Sequence, residues 1–445
     1  MKLAAKRALL PGGWAEDVLV TVGAGRIVAL GRGQDAEADQ VDLLLPGASN
    51  LHSHAFQRGF AGLTEARGPG RDSFWTWREM MYRFALRLDP DGAEAMAAMA
   101  QVEMLEAGYT RVGEFHYLHH DCDGRAYANP AEMSARIFAA AEDTGIALTH
   151  LPVFYAHGGF GPAPASDGQR RFLHDRDAFL GLVERCDAMA RAGDVVGYAP
   201  HSLRAADAAD LRALAEALPG RKVHIHVAEQ VKEVEDCLAF CNCRPVERLY
   251  ETAEVTADWC LIHATHLTPG EVALIARSGA VVGLCPVTEA NLGDGVFPAP
   301  DLLARGGRYG VGTDSNVRIS LAEELRLLEY GQRLTARARN VLATEEGSTG
   351  TQLFRQALAG GAQALGAPAP EIAEGALADL VALRDPLALG TGGAETLDRW
   401  IFGSEVAVSD VWVRGRHLVQ DGRHVAREAV AARFAKAVRK VLAGA

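Results

Sequence analysis

No stretch of the 445-residue chain approaches the roughly 18 consecutive apolar residues of a membrane-spanning helix, so none is expected. The seven cysteines are odd in number and irregularly spaced, which argues against a disulfide framework. Cys241-Asn-Cys243 lacks a second half that would complete a zinc finger, and the cysteines read as reduced thiols in a reducing compartment. Met1–Leu10 carries lysines but only short apolar pieces, a poor secretory signal. A cytoplasmic location is expected. Positive charge is in deficit: the formal net charge is −12 and the pI is near 5.7. That balance argues against nucleic acid or an anionic membrane as a general partner. No Gly-x-Gly-x-x-Gly opens a helix after the first strand, which weakens a dinucleotide site. Low-complexity linkers and short-period repeats are also missing.

What is present is ordinary in bulk and patterned in detail. With 49% hydrophobic and 23% charged residues, the chain can bury a large core. Both ends read as strands with turns. Near the start, Asp17–Val22 and Ile27–Leu30 flank Gly23-Ala-Gly-Arg; near the end come Ala378–Leu383, Val406–Val413 and His417–Val419. Neither end makes a comfortable domain alone, so residues 1–45 and 375–425 are expected to form one small β-sandwich. Between them, residues 46–374 alternate. Strand candidates at about 43–52, 110–117, 147–155, 195–203, 223–229, 259–266, 280–287 and 309–314 are separated by Ala-, Leu- and Glu-rich helical stretches such as Ala93–Glu106 and Thr268–Ser278. Eight such units are the count of a (β/α)8 barrel, an α/β fold; a doubly wound sheet is the rival. Residues 426–445 look like a closing amphipathic helix.

The polar residues fall at the C-terminal ends of those strands, the face on which barrel enzymes build their sites. His52 and His54 end the first strand, and residues i and i+2 share a strand face. A lone His-x-His is weak, and its value depends on partners. The fifth strand supplies His224 and His226 with Glu229 just beyond, the sixth ends at His263, and the eighth reaches Asp314. Four strands thus aim imidazoles and a carboxylate at one point. Three neutral imidazoles and one carboxylate suit Zn²⁺ or a similar borderline ion. Catalytic zinc keeps one position open for water and lowers that water's pKa toward about 7. Binuclear enzymes of this layout bridge two ions with a carboxylated lysine on the fourth strand. No lysine occurs between Lys6 and Lys222, so a single ion per chain is expected unless a different residue serves as the bridge.

These residues resemble the signature of the amidohydrolase superfamily, and further segments narrow the likeness. Asn50–Arg58 (Asn-Leu-His-Ser-His-Ala-Phe-Gln-Arg), Asp72–Arg78, Gly113–Tyr117, His201–Arg204, Thr288–Gly295 and Gly312–Ser320 resemble the formimidoylglutamate deiminases over nearly the whole chain. That resemblance implies hydrolysis of N-formimidoyl-L-glutamate to N-formyl-L-glutamate and ammonia, in bacterial histidine degradation, by a zinc-activated water. It implies His52, His54, His226 and Asp314 as zinc ligands. Glu229 and His263, with Asp314, would handle protons, and Gln57, Arg78, Tyr117, His201 and Arg204 would touch substrate. It also suggests a homodimer.

Physical chemistry agrees with part of this, because a substrate with two carboxylates is well held by arginines. Arg78 lies in the long loop after the first strand and Arg204 just past the fourth. Each has a bland alternative: a surface ion pair for an arginine, rim packing for Tyr117, a satisfied strand end for His201. Trp75 and Trp77 are expected to pack the loop. The rival activities are a superfamily deaminase acting on an aminated purine- or pyrimidine-like ring, and a non-enzymatic barrel kept as a scaffold. The ring deaminase would need no pair of arginines, and a scaffold would usually lose its ligands.

Overall fold

The structure is a computed structural model that describes residues 1–443 except 34, 69 and 71. Four strands open the chain: β1 (Lys2–Leu10), β2 (Gly13–Gly23), β3 (Arg26–Arg32) and β4 (Asp39–Pro46). Between β2 and β3, Ala24 and Gly25 have φ of 48° and 78°. A two-residue type I′ turn needs that left-handed pair. Across the single residue Gly47 the chain enters β5 (Ala48–Ser53). Then come β6 (Tyr109–His116), β7 (Ala147–Phe154), β8 (Val195–Val196) and β9 (Ala199–Pro200). They are followed by β10 (Val223–Val227), β11 (Trp259–His263), β12 (Val281–Leu284) and β13 (Arg308–Val311). The last strands are β14 (Leu380–Arg384), β15 (Ala407–Val413), β16 (Arg416–Gln420) and β17 (Arg423–His424).

Strands from both ends share one sheet, ordered β17-β16-β15-β14-β4-β1-β2-β3. The join is the antiparallel pair β4–β14, with Leu380 opposite Pro46 and Leu383 opposite Leu43. Leu3, Val20, Ile27, Leu380 and Trp412 fill its buried face. Where the sequence predicts a sandwich, the hydrogen bonds make one continuous eight-stranded ladder.

The central strands are parallel. β5 to β8 form one arc with β9 also on β7, and β10 to β13 form a second. Strand order follows chain order without the reversal that marks a doubly wound sheet. Isolated parallel bridges lie between the arcs, Tyr198 to Val223 and Ser202 to His226 on one side and Ser53 to Asp314 on the other. Helices follow the strands, among them Glu132–Thr144, Arg176–Met189, Ala208–Ala217 and Pro269–Ser278. β6, β7, β10, β11 and β12 are buried along their whole length, as parallel strands covered on both faces must be. No helix among the described residues is long and apolar enough to cross a membrane.

Three local expectations change. The strand expected over 43–52 is two strands, one for each sheet. The fourth central strand is broken into β8 and β9. The segment taken as a long loop after the first strand contains a helix, Phe74–Ala85, begun by a capping box in which the Ser73 N–H donates to Thr76 Oγ1 at 3.0 Å. Arg78 is therefore a helical residue. The closing helix runs Arg427–Ala443; residues 444 and 445 of the expected 426–445 lie outside the described residues.

Inside the parallel strands, one large side chain fills space left by small ones. Leu51 of β5 is fully buried and packs with Cys260, Ile262 and Val281. A Cβ on Gly283 would lie 2.8 Å from Leu51 Cδ1, and one on Gly310 would collide with Cδ2. Leu51→Ala therefore empties a volume its glycine neighbours cannot refill. A loss of about 2–5 kcal/mol is expected in denaturant unfolding; a loss below about 1 kcal/mol would mean that the neighbours collapse into the space.

Candidate active site

Five residues singled out in the sequence meet beyond the C-terminal ends of the strands. His52 sits in β5, His54 just past it, His226 in β10, His263 at the end of β11 and Asp314 past β13, and all are buried. The His52 and His226 Nε2 atoms are 3.1 Å apart. Asp314 Oδ1 lies 3.2 Å from His54 Nε2 and 3.5 Å from His52 Nε2. Its Oδ2 lies 3.8 Å from His263 Nε2. Ligand atoms of His52, His226, His263 and Asp314 all fall within 4.8 Å of one another, and His54 joins this set through Asp314. His224 does not take part: its Nε2 faces the Ala364 carbonyl at 2.9 Å.

The four histidines differ in what their other nitrogen meets. His54 Nδ1 donates to the Phe115 carbonyl at 2.9 Å and His226 Nδ1 to the His201 carbonyl at 3.0 Å. Each bond fixes the tautomer and leaves an Nε2 lone pair facing the centre. His52 Nδ1 is buried without a partner. Burial holds all three in the neutral form: His52 falls to about 3, His54 is lowered, and His226 lies well below its ordinary value. Converging lone pairs beside an ionised carboxylate fit a divalent cation of zinc's type.

His263 is the exception. Burial pulls its pKa down, but the carboxylates of Glu229, Glu289 and Asp314 outweigh that and raise it to about 10. Glu289 Oε1 stands 3.2 Å from His263 Nδ1 and also accepts the Cys285 N–H at 2.9 Å. An imidazolium donates from both nitrogens and coordinates nothing. Glu229 Oε1 lies 3.8 Å from His263 Nε2. Burial raises its pKa to about 7; Asp314 adds to that, while His263 and Arg204 oppose it. Asp314 goes the other way: the surrounding histidines lower its pKa against the burial penalty, and His263 is the cation among them that keeps it ionised. One cavity thus holds a carboxylate fixed as an anion and another poised near neutrality, the separation that acid–base catalysis needs.

The backbone is strained where these groups sit. Ala228, His263, Ala264, Asp314 and Asn316 have φ of 53°, 67°, 47°, 45° and 54°. Each left-handed non-glycine residue costs about 1–3 kcal/mol, and such strain collects at functional sites.

Gln57, Arg78, Tyr117, His201 and Arg204 line the same cavity as His54, His226, Glu229, His263 and Asp314. Gln57 Nε2 donates to Tyr117 Oη at 2.7 Å. His201 Nδ1 is 3.2 Å from Ser202 Oγ. The Nε atoms of Arg78 and Arg204 are buried and unpartnered, and among the described residues neither arginine forms an ion pair with an acidic side chain. Sequence reasoning missed Glu289, Tyr82 and Tyr155, the last two also lining the cavity. Glu289 lies in the acidic 288–295 segment, but nothing local connects it to His263.

The Amidohydrolase family model matches residues 43–418, and a model described as Formimidoylglutamate deiminase HutF, N-terminal domain, matches residues 3–41. The chain belongs to the amidohydrolase family. Within that family it is 52% identical to a formimidoylglutamate deiminase from Pseudomonas aeruginosa, over 98% of this chain and 99% of the relative, and it belongs with those deiminases. A 5-methylthioadenosine/S-adenosylhomocysteine deaminase from Natronomonas pharaonis is 28% identical, over 82% and 79% of the two chains. Among solved structures, an amidohydrolase from Brucella melitensis superposes with a TM-score of 0.96 at 52% identity, covering 99% of each chain.

In this amidohydrolase the distance between β5 and β13 depends on a glycine. A Cβ on Gly312 would lie 2.7 Å from both the backbone nitrogen and oxygen of His52. Gly312→Ala must push the two strand ends apart, an overpacking cost of about 1–3 kcal/mol. The expected result is a lower melting temperature together with reduced metal content by elemental analysis. A variant that keeps both would show that this close approach does not set the site.

Proposed function

We propose that the chain hydrolyses N-formimidoyl-L-glutamate to N-formyl-L-glutamate and ammonia, in histidine degradation. The observation that carries this is the pair Arg78 and Arg204, two guanidinium groups that among the described residues form no salt bridge with an acidic side chain, in the cavity that also holds the histidine–aspartate cluster. A substrate with two carboxylates supplies what both lack. The likeness to the Pseudomonas aeruginosa deiminase supports the same reading.

One zinc ion per chain, held by His52, His54, His226 and Asp314, belongs to this proposal. His54 is preferred to His263 as a ligand because its Nδ1 is committed to a carbonyl, which turns Nε2 to the cluster, whereas His263 is set between the Glu289 and Glu229 carboxylates, the position of a donor. Zinc there supplies Lewis acidity, polarising the reacting groups and lowering the pKa of a water.

The chain's own groups do the rest. Asp314, an anion within reach of His54 and His52, accepts a proton as the water oxygen bonds to the formimidoyl carbon. His263 donates a hydrogen bond to the oxygen on which charge develops, and Glu289 holds its ring in place. Glu229 delivers a proton to the imino nitrogen, which becomes an amine. Asp314 then returns the first water proton to that amine, Glu229 takes the remaining hydroxyl proton as the carbonyl forms, and the C–N bond breaks to release ammonia with both carboxylates restored. Gln57, Tyr117 and His201 would bind the substrate between the arginines and the cluster.

The finer architecture belongs to the same proposal. The parallel bridges between the two arcs support a (β/α)8 barrel over residues 46–374. The continuous eight-stranded sheet shared by residues 1–45 and 375–425 would curl over on itself to give the two layers of a sandwich, followed by the helix from 426 onward. A cytoplasmic homodimer is proposed from the resemblance.

Ammonia release decides the substrate. N-formimidoyl-L-glutamate should be turned over and a panel of aminated purines and pyrimidines left untouched; the reverse pattern would make the chain a ring deaminase. A chelator should abolish activity and zinc restore it, at about one ion per chain. Glu229→Gln should lower kcat by about 10²–10⁴-fold with zinc retained. Near wild-type turnover would remove Glu229 from proton transfer.

A further inference from the structure

Two positive side chains that face one cavity and, among the described residues, form no salt bridge with an acidic side chain need something to hold them. Arg78 Cζ lies 4.6 Å from the centre of the Trp75 ring, and Arg204 Cζ lies 5.8 Å from the same ring. Both distances are within the range of a cation–π contact. Arg78 is also 5.5 Å from the Tyr82 ring. Trp75 and Arg78 stand one turn apart on the helix Phe74–Ala85, so they share its face. Arg204 comes from a distant part of the chain, between β9 and the helix Ala208–Ala217. Trp75 itself does not line the cavity.

We infer that Trp75 is a positioning residue: its indole holds the Arg78 and Arg204 guanidinium groups at the spacing that selects a short dicarboxylate. The reason is chemical. A protein carboxylate could fix an arginine more firmly, but it would occupy the N–H donors that a ligand needs. An aromatic face attracts the cation through its quadrupole and leaves the in-plane donors free. The buried, unpartnered Nε of each arginine is what that arrangement leaves behind. One ring shared by two like charges also sets their separation, because each must stay over the same indole. A substrate with a single carboxylate satisfies only one of them.

This inference rests on the dicarboxylate reading of the substrate, and the experiment separates the two. Kinetic constants would be measured for wild type, Trp75→Phe and Trp75→Leu. The substrates would be N-formimidoyl-L-glutamate and N-formimidoyl-L-2-aminobutyrate, which lacks the side-chain carboxylate. Zinc content and melting temperature would be followed in each protein. Trp75→Leu should raise KM for the dicarboxylate about tenfold, which is about 1.4 kcal/mol, with kcat falling less than about threefold. KM for the monocarboxylate should rise no more than about threefold. Trp75→Phe keeps a smaller π face and should lie between, at about two- to fourfold on the dicarboxylate alone; it carries the test if the leucine variant does not fold.

Unchanged KM, an equal loss on both substrates, or a loss confined to kcat would each overturn the role of Trp75. If wild type turns over neither substrate, glutarate binding by calorimetry takes the place of KM. Glutarate binding that weakens about tenfold in Trp75→Leu would then uphold Trp75 while the proposed reaction falls. No glutarate binding to wild type would overturn both.

Discussion

Thr313 and Asp314 both donate their backbone N–H groups to the His52 carbonyl, at 3.0 and 2.9 Å, and His54 donates back to the Asp314 carbonyl at 2.9 Å. Side chains lock the same seam. Asn50 Nδ2 donates to Thr313 Oγ1 at 2.7 Å, Thr313 Oγ1 donates to Asn316 Oδ1 at 2.6 Å, and Asn316 Nδ2 reaches Ser53 Oγ and the His54 carbonyl. All of these groups are buried, so each lost bond would leave a desolvated partner at about 1–3 kcal/mol. The first and last central strands meet here, and their meeting puts His52 of β5 and His54 just past it beside the aspartate past β13. His226 and His263 then join from β10 and β11, whose parallel register places His226 opposite Ile262 and Val227 opposite His263.

With positions fixed, surroundings decide what each identical side chain does. His54 and His226 each face a carbonyl, an acceptor without net charge, and burial keeps them neutral. His263 faces three carboxylates and is held as a cation. The four imidazoles of one cluster thus divide into neutral rings and a cation by their surroundings alone. The strain at φ of 67° belongs to the donor. Its ring lies between Glu289 on one side and Glu229 and Asp314 on the other, at a strand end whose backbone is left-handed.

Much of this is legible in the sequence because strand ends are local. The apolar runs locate β5 to β13 to within a few residues, and period two puts His52 and His54 on one face. What is not legible is long-range or context-dependent. Glu289 meets His263 only because β11 and β12 are neighbours. The helix Phe74–Ala85 is short, rich in aromatics and followed by no glycine, so its pattern reads as a loop. Its cap is a Ser73–Thr76 pair rather than the Glu or Gln that marks a capping box in sequence. Taking that helix for a loop also hides the i to i+3 relation of Trp75 and Arg78. The expected packing role of Trp75 then becomes, in three dimensions, a contact with two arginines.

The split at Gly47 explains why the terminal sheet matters to chemistry it never touches. β4 pairs with β14 as far as Pro46, and β5 begins at Ala48. Gly47 sits between them with its N–H on the Asp379 carbonyl at 2.8 Å, and a Cβ there would collide with Thr110 of β6. Asp379 in turn accepts the Arg414 N–H at 2.6 Å, beyond β15. The strand that carries His52 is therefore anchored at its base by the sheet built from both chain ends, and at its tip by the seam with β13. A single residue of slack separates the two. With a side-chain period of two, a one-residue slip of β5 would turn both histidines away from Asp314, and the anchors at its two ends oppose that slip.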